Sequence, residues 1–413
     1  LNLLFVTPQL PYPPRQGTAL RTWGLIRHLS QRHAITLLGF ADADQSAEAP
    51  APELRAACRS LIALPAPRRT RADRLRALLS PHPDLARRLW SPDFARALAE
   101  LLRDSQFDVI QIEGLEMAPY LPIIRSRPQA ARFVVYDAHN AELLIQRRAL
   151  VTDLRRPARW PAACYSWLQL PRLARFEAET CRAVHAVACV SEEDAAALRQ
   201  HTPDLHPAIV PNGIDVEVYA SHAAPGPAHA ARLVFTGKMD YRPNLDAALW
   251  FIEEVFPRIR AAAPEAEFVA AGQKPPASLL RHHGRNGVVI AGAVEDIRPH
   301  IAGAAVYVAP LRMGGGTRFK LLEALALARP MVSTTLGAEG FAVRSGRELV
   351  LADSPADFAG AVLSLLAEPA RAAALGRAGQ AFVRAGYDWS AIIPKLEAVY
   401  ADLSRRQPDS SLG

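Results

Sequence analysis

Lysine is nearly absent from this chain. Among 413 residues it occurs four times, at positions 238, 274, 320 and 395, and arginine carries the rest of the basic charge. An arginine habit can come from genome composition, so the net charge of +7 does not by itself point to a nucleic-acid or membrane partner. The rare lysines say more, because a compact ammonium and a guanidinium fork are different phosphate ligands. Cysteine is scarce too. Cys58, Cys164, Cys181 and Cys189 show no paired metal spacing, and a chain of this length needs no disulfide staples. They read as reduced thiols of a cytoplasmic protein. No uncharged apolar run reaches the roughly 18–20 residues of a membrane span. Leu3–Val6 is too short for a signal-peptide core. Half of the residues are hydrophobic, which argues against disorder, and the length favours two domains, each with its own core.

The most informative stretch is Val306–Gly340, VYVAPLRMGGGTRFKLLEALALARPMVSTTLGAEG. Val306–Ala309 is a short apolar run that predicts a buried strand, Gly314–Gly316 a turn, and Phe319, Leu322 and Leu325 a helix. Glycines let backbone N–H groups approach an anion, and a helix N-terminus favours negative charge. Thr317 is the expected N-cap. Lys320 and Glu323 share a helix face, and Glu323 lies about 9 Å along the axis from Thr317 at 1.5 Å per residue. That span suits a phosphate at the tip and a sugar hydroxyl at the carboxylate. A tight connection and a solvated Lys320–Glu323 ion pair account for the same residues.

Other segments repeat the strand, loop, helix order. Asn2–Thr7 precedes a loop ending in Gly17 and a helix from about Thr18; Ala34–Phe40, Phe107–Ile112, Arg132–Tyr136 and Val184–Val190 read as further strands. Past the fourth of these comes Asp137-Ala138-His139-Asn140, at a strand's carboxyl end where α/β sheets place ligands. His139 is therefore either a site residue or a satisfied core histidine. Ser191 is expected to cap a helix. Leu233–Thr236 runs into Gly237-Lys238-Met239-Asp240-Tyr241-Arg242-Pro243-Asn244, again glycine, cation and helix; strands at Glu267–Ala271 and Val288–Ala291 follow. Asp42-Ala43-Asp44 has the Asp-X-Asp form of a metal motif but reads as a polar loop, with no further carboxylate or histidine cluster to complete it. Between Arg55 and Arg103 there are eleven arginines and four acidic residues on interrupted amphipathic segments. This is either a surface for anionic lipid or a solvated face.

The Val306–Gly340 stretch resembles the donor-binding signature of the group-1 family of retaining, nucleotide-sugar-dependent glycosyltransferases. Glu323, Ala324, Pro330, Met331 and Val332 match its later part, while the family's earlier glutamate falls at Gly315. The resemblance implies an α/β fold of two facing Rossmann-like domains (GT-B type) with an interdomain cleft and a C-terminal helix crossing back to the first domain. The expected divisions are 1–225, 226–384 and 385–413. It further implies that Glu323 contacts the donor ribose and that Gly17, Arg242, Gly314, Gly315, Gly316, Thr317, Arg318 and Lys320 line the donor site. Val294 lies in the loop expected against the donor base. Lys238 matches the family cation after the glycine, whereas Pro243 occupies the position of a second lysine, for which Arg242 substitutes only with a local shift. His139 and Lys238 are the expected catalytic residues.

The expected activity is transfer of a sugar from a nucleotide diphosphate sugar to a glycan or lipid-linked acceptor, with retention, in cell-surface polysaccharide or glycoconjugate synthesis. No metal or other cofactor is expected, no nucleic acid, and at most a peripheral place at an anionic membrane. A nucleotide-sugar epimerase and a non-catalytic nucleotide-sugar sensor are the alternatives on the same fold.

Overall fold

The computed structural model describes residues 1–14, 16–41, 50–70, 73, 80–154, 157–222, 230–314 and 316–405. The chain divides into two compact units, Leu1–Pro211 with Ile392–Gly413, and Asn212–Ala391. Each is built on one parallel sheet.

In the first unit the strands are β1 (Asn2–Thr7), β2 (Ala34–Ala41), β3 (Ser60–Pro65), β4 (Phe107–Glu113), β5 (Ala131–Ala138), β6 (Ala186–Cys189) and β7 (Ala208–Ile209). Their order is β3-β2-β1-β4-β5-β6-β7. Central strands of a parallel sheet are covered on both faces and so read as unbroken apolar runs; Leu3–Val6 in β1 is at most 1% exposed. β3 was not expected. It lies at the sheet edge with a half-buried pattern and ends at Pro65, where a missing N–H costs no ladder bond. Ser191 caps its helix as expected, its Oγ accepting from Asp194 N at 3.1 Å.

The second unit holds β8 (Arg232–Thr236), β9 (Glu267–Ala271), β10 (Val288–Gly292), β11 (Val306–Ala309), β12 (Met331–Ser333) and β13 (Val350–Leu351), in the order β10-β9-β8-β11-β12-β13. Asn212–Ala220 belongs to this unit because its backbone is stitched to the chain before the last helix. Ile214 N donates to Tyr387 O at 2.8 Å and Trp389 N to Ile214 O at 3.2 Å. A Cβ on Gly213 would come within 2.5 Å of the Trp389 indole, so that contact requires glycine. The last helix begins at Trp389, and its residues from Ile392 onward count with the first unit.

No single helix among the described residues is long and apolar enough to cross a membrane. The bent pair Pro355–Ala367 and Pro369–Gly386 has the composition, but Phe358, Val362 and Val383 on it are fully buried in the second unit.

Candidate functional site

In both sheets the strand order reverses at one place, between β1 and β4 and between β8 and β11. Loops leaving neighbouring strands there diverge and open a crevice at the carboxyl ends. Most of the expected site residues lie at these two points, whereas His139 follows β5 and Val294 follows β10.

In the second unit the loop after β8 begins at Gly237, whose φ of +147° suits glycine. A Cβ there would lie 2.7 Å from both Asn244 Nδ2 and Lys320 Nζ. The loop after β11 turns at Gly314 (φ +106°) and Gly316 (φ +74°). A Cβ on Gly314 would touch Pro243 at 3.5 Å, so the two loops pack together. Gly315 lies outside the described residues, as does Asp42-Ala43-Asp44. The helix that follows spans Phe319–Ala326, with Arg318 rather than Thr317 at the N-cap position and no side-chain cap. Thr317 lies one residue before the N-cap position, and its Oγ1 accepts from Asn212 Nδ2 at 2.5 Å.

Lys320 and Glu323 have separate partners, which replaces the solvated-pair reading. Lys320 Nζ donates to Asn244 Oδ1 at 2.7 Å and sits 4.3 Å from the centroid of the Phe235 ring. Glu323 Oε1 accepts from the Tyr219 hydroxyl at 2.9 Å. Burial, helped by Arg318 and opposed by Glu323, brings Lys320 down to about 7. Burial raises Glu323 above the ordinary carboxylate value, against the Tyr219 hydrogen bond and the Lys320 charge. Both shifts come chiefly from burial in a crevice, the setting in which perturbed groups are candidates for meeting a ligand. Lys238 is half-exposed and only loosely paired, 3.8 Å from Asp240. Arg242 opens the helix Arg242–Trp250, and Arg318 Nη1 donates to the Gly316 carbonyl. Val294 is partly buried in the loop after β10, two residues before Asp296, whose carboxylate pairs with Arg298 at 2.8 Å and acts on Glu323.

In the first unit Gly17 opens the helix Gly17–Leu29. One turn further in, Arg21 is buried and its guanidinium meets both Asp137 oxygens at 2.8 Å, while Nη1 donates to the Pro211 carbonyl at 3.1 Å. Glu113, at the end of β4, is fully buried and accepts from Gln111 Nε2 (2.6 Å), Thr22 Oγ1 (3.0 Å) and His139 Nε2 (2.8 Å). The Tyr400 hydroxyl donates to Gln111 in turn, so the last helix supports this network. Burial alone would lower the His139 pKa, but the Glu113 hydrogen bond and the Glu113 and Asp137 charges outweigh it and raise it. With Nε2 committed to a carboxylate, Nδ1 is the ring atom left without a partner among the described residues.

No cluster of carboxylates and histidines is evident along the sequence, yet Glu113, Asp137 and His139 bring ligand-type atoms within 4.8 Å of one another. Both Asp137 oxygens accept from Arg21 and both Glu113 oxygens hold hydrogen bonds, so a cation there would share its carboxylate ligands with a buried guanidinium. The three residues are joined with Arg21 in one ion and hydrogen-bond network.

The arginine-rich region divides similarly. Arg69 pairs with Asp84 at 2.6 Å and Arg88 with Glu116 at 3.1 Å. These two, with Arg68, Arg87 and Arg125, line a cavity of about 1140 Å³ beside the exposed Trp90.

Known proteins share this architecture. Residues 15–218 match the family described as Glycosyltransferase Family 4, and residues 230–368 match Glycosyl transferases group 1. A GDP-mannose-dependent monoacylated alpha-(1-6)-phosphatidylinositol monomannoside mannosyltransferase of Corynebacterium glutamicum is 24% identical over 334 residues, 74% of this chain and 79% of that protein. The matches to the first three curated relatives span only 36–51% of those proteins. Among solved structures, sucrose-phosphate synthase from Thermosynechococcus elongatus superposes with a TM-score of 0.73 at 17% identity, covering 98% of this chain and 99% of the other. Anabaena HepE in complex with UDP and glucose gives 0.65 at 13% identity, over 97% and 99%.

Proposed function

From a chain with a family 4 glycosyltransferase match over 15–218, a group 1 match over 230–368 and the GT-B fold beneath both, we propose a retaining, nucleotide-sugar-dependent glycosyltransferase. The observation that carries the proposal is the β8/β11 crevice. Glycine turns there would let a diphosphate approach the backbone, with Lys238 in the first loop, Lys320 at the start of the helix after the second and Glu323 one helical turn on. The two ammonium groups would stabilise negative charge as the diphosphate departs, and Glu323 would accept from a ribose hydroxyl. Retention follows if the departing phosphate takes the acceptor's proton as the acceptor attacks from the same face, since the sequence offers no clear nucleophile for a double displacement. His139 is assigned to the reacting sugar, with Glu113 holding Nε2 and leaving Nδ1 for it.

The acceptor we infer is a glycan or a lipid-linked phosphate, in cell-surface polysaccharide or glycoconjugate synthesis. Its support is the cavity beside Trp90, where Arg68, Arg87 and Arg125 line the wall along with the ion-paired Arg69 and Arg88 and the acidic Asp73 and Glu179, which suits an anionic group with an apolar neighbour. Product formation from a panel of nucleotide sugars with a membrane-derived acceptor fraction tests the proposal, with anomeric configuration followed by NMR. An inverted product removes retention. Interconversion of donor sugars without acceptor identifies an epimerase, and tight donor binding without turnover identifies a sensor.

A further inference from the structure

Asn244 is buried at 6% exposure between the segments that carry Lys238 and Lys320. Its amide spans two cation-bearing segments. Nδ2 donates to the carbonyl of Lys238 at 2.9 Å, and Oδ1 accepts from Lys320 Nζ at 2.7 Å. An amide nitrogen only donates and an amide oxygen only accepts, so these neighbours fix the side chain in one orientation. Gly237 closes the arrangement, since any Cβ there would strike both Asn244 Nδ2 and Lys320 Nζ.

We propose that Asn244 is the positioning residue of the donor site, holding the Lys238 loop and the Lys320 ammonium together as one diphosphate-binding unit. This rests on the glycosyltransferase reading and deepens it. A neutral acceptor suits the role. It orients the ammonium without cancelling its charge, whereas a carboxylate at the same place would compete with the phosphates.

The groups around Lys320 give the proposal a measurable signature. Arg318 faces it from the loop before the helix and Glu323 from its own helix, with the Tyr219 hydroxyl bonded behind Glu323. Phe235 and Asn244 add no charge, and Lys238 lies on the loop that Asn244 holds. Burial keeps the Lys320 pKa near 7 in the free protein. A bound diphosphate favours the ammonium form, so above about pH 7 binding draws one proton from solvent onto Lys320, and affinity falls with rising pH.

Calorimetry with UDP, GDP and ADP from pH 6 to 9 tests this on wild type, Asn244→Asp and Asn244→Ala. Comparing one ligand across the three proteins cancels the ligand's own titration. The wild type is expected to bind at least one nucleotide, with affinity falling by up to about tenfold per pH unit above pH 7 for one linked proton. Asn244→Asp should bind at least about tenfold more weakly at pH 6, with the onset of the fall moved upward, because the added carboxylate keeps Lys320 charged. Asn244→Ala should lose affinity without that upward shift. Wild-type pH profiles in both variants would overturn the proposal while leaving the donor site standing, even if both variants were less heat-stable. Failure of the wild type to bind any of the three nucleotides would overturn the glycosyltransferase reading and this inference with it.

Discussion

Replacing Glu113 by glutamine removes one charge and changes almost no volume, and the structure says where the cost falls. The carboxylate accepts from Gln111, Thr22 and His139, using both oxygens. An amide keeps only one acceptor oxygen. If that oxygen faces Thr22 and His139, the new NH₂ faces the Gln111 NH₂, donor against donor. Turning Gln111 over would relieve this but would take its oxygen away from the Tyr400 hydroxyl. One buried donor is left unsatisfied in either arrangement, which costs about 1–3 kcal/mol. Losing the carboxylate that holds His139 and faces Arg21 brings the expected destabilisation to about 2–4 kcal/mol. The pH dependence has a definite sign. The folded-state pKa of His139 is raised, so its contribution to stability is fully present below the unfolded value and is lost as pH rises through the folded one. Glu113→Gln leaves burial to dominate and lowers that pKa. The stability gap between wild type and variant should be widest in acid and narrow towards pH 8. Denaturant titrations from pH 5.5 to 8.5, with the imidazole C–H signals followed by NMR, measure both quantities. A His139 titration unchanged in the variant, or a gap independent of pH, would refute the coupling.

Further outcomes follow from the same geometry. Glu323→Gln should weaken nucleotide-sugar binding by about 1.5–3 kcal/mol if a charged hydrogen bond to ribose is lost; unchanged affinity by calorimetry would remove Glu323 from the donor site. Lys238→Ala should lower kcat more than donor affinity, because its interaction grows as the diphosphate leaves, and full recovery in Lys238→Arg would contradict a specific need for ammonium. His139→Ala should leave nucleoside diphosphate affinity nearly intact but cut transfer at least tenfold, about 1.4 kcal/mol of transition-state stabilisation; equal loss of both would make it a folding residue. Co-sedimentation with anionic vesicles should weaken with salt, since exposed charges are screened within about 8 Å at physiological ionic strength. Equal binding to neutral vesicles would contradict an electrostatic role for the Arg68–Arg103 region.

Most strands were legible because a strand buried on both faces must be apolar along its whole length. β1, β9 and β11 begin and end at the residues the sequence marks. β3, β12 and β13 were not legible. The first is a half-buried edge strand and the other two are three and two residues long, too short for any periodicity to register. The helix after the glycine turn was legible, but its first residue was not: Arg318 takes the N-cap position, and the Thr317 hydroxyl bonds Asn212, 105 positions away.

That long reach explains what was hidden at the candidate site. Arg21 finds Asp137 across 116 positions, Tyr219 finds Glu323 across 104, and Lys320 finds Asn244 across 76. In a chain rich in arginine nothing local distinguishes Arg21 from the solvated ones, and a buried charge is recognised only through its partner. Lysine gave a signal that arginine could not. Two of four lysines fall at the β8/β11 reversal, Lys238 in the loop after β8 and Lys320 in the first turn of the helix after β11, where a compact ammonium would suit a diphosphate. Rarity marked those positions but not their dependence on Asn244, because a neutral amide carries no compositional signature. Only the fold shows that one side chain holds the carbonyl of the first lysine and the ammonium of the second.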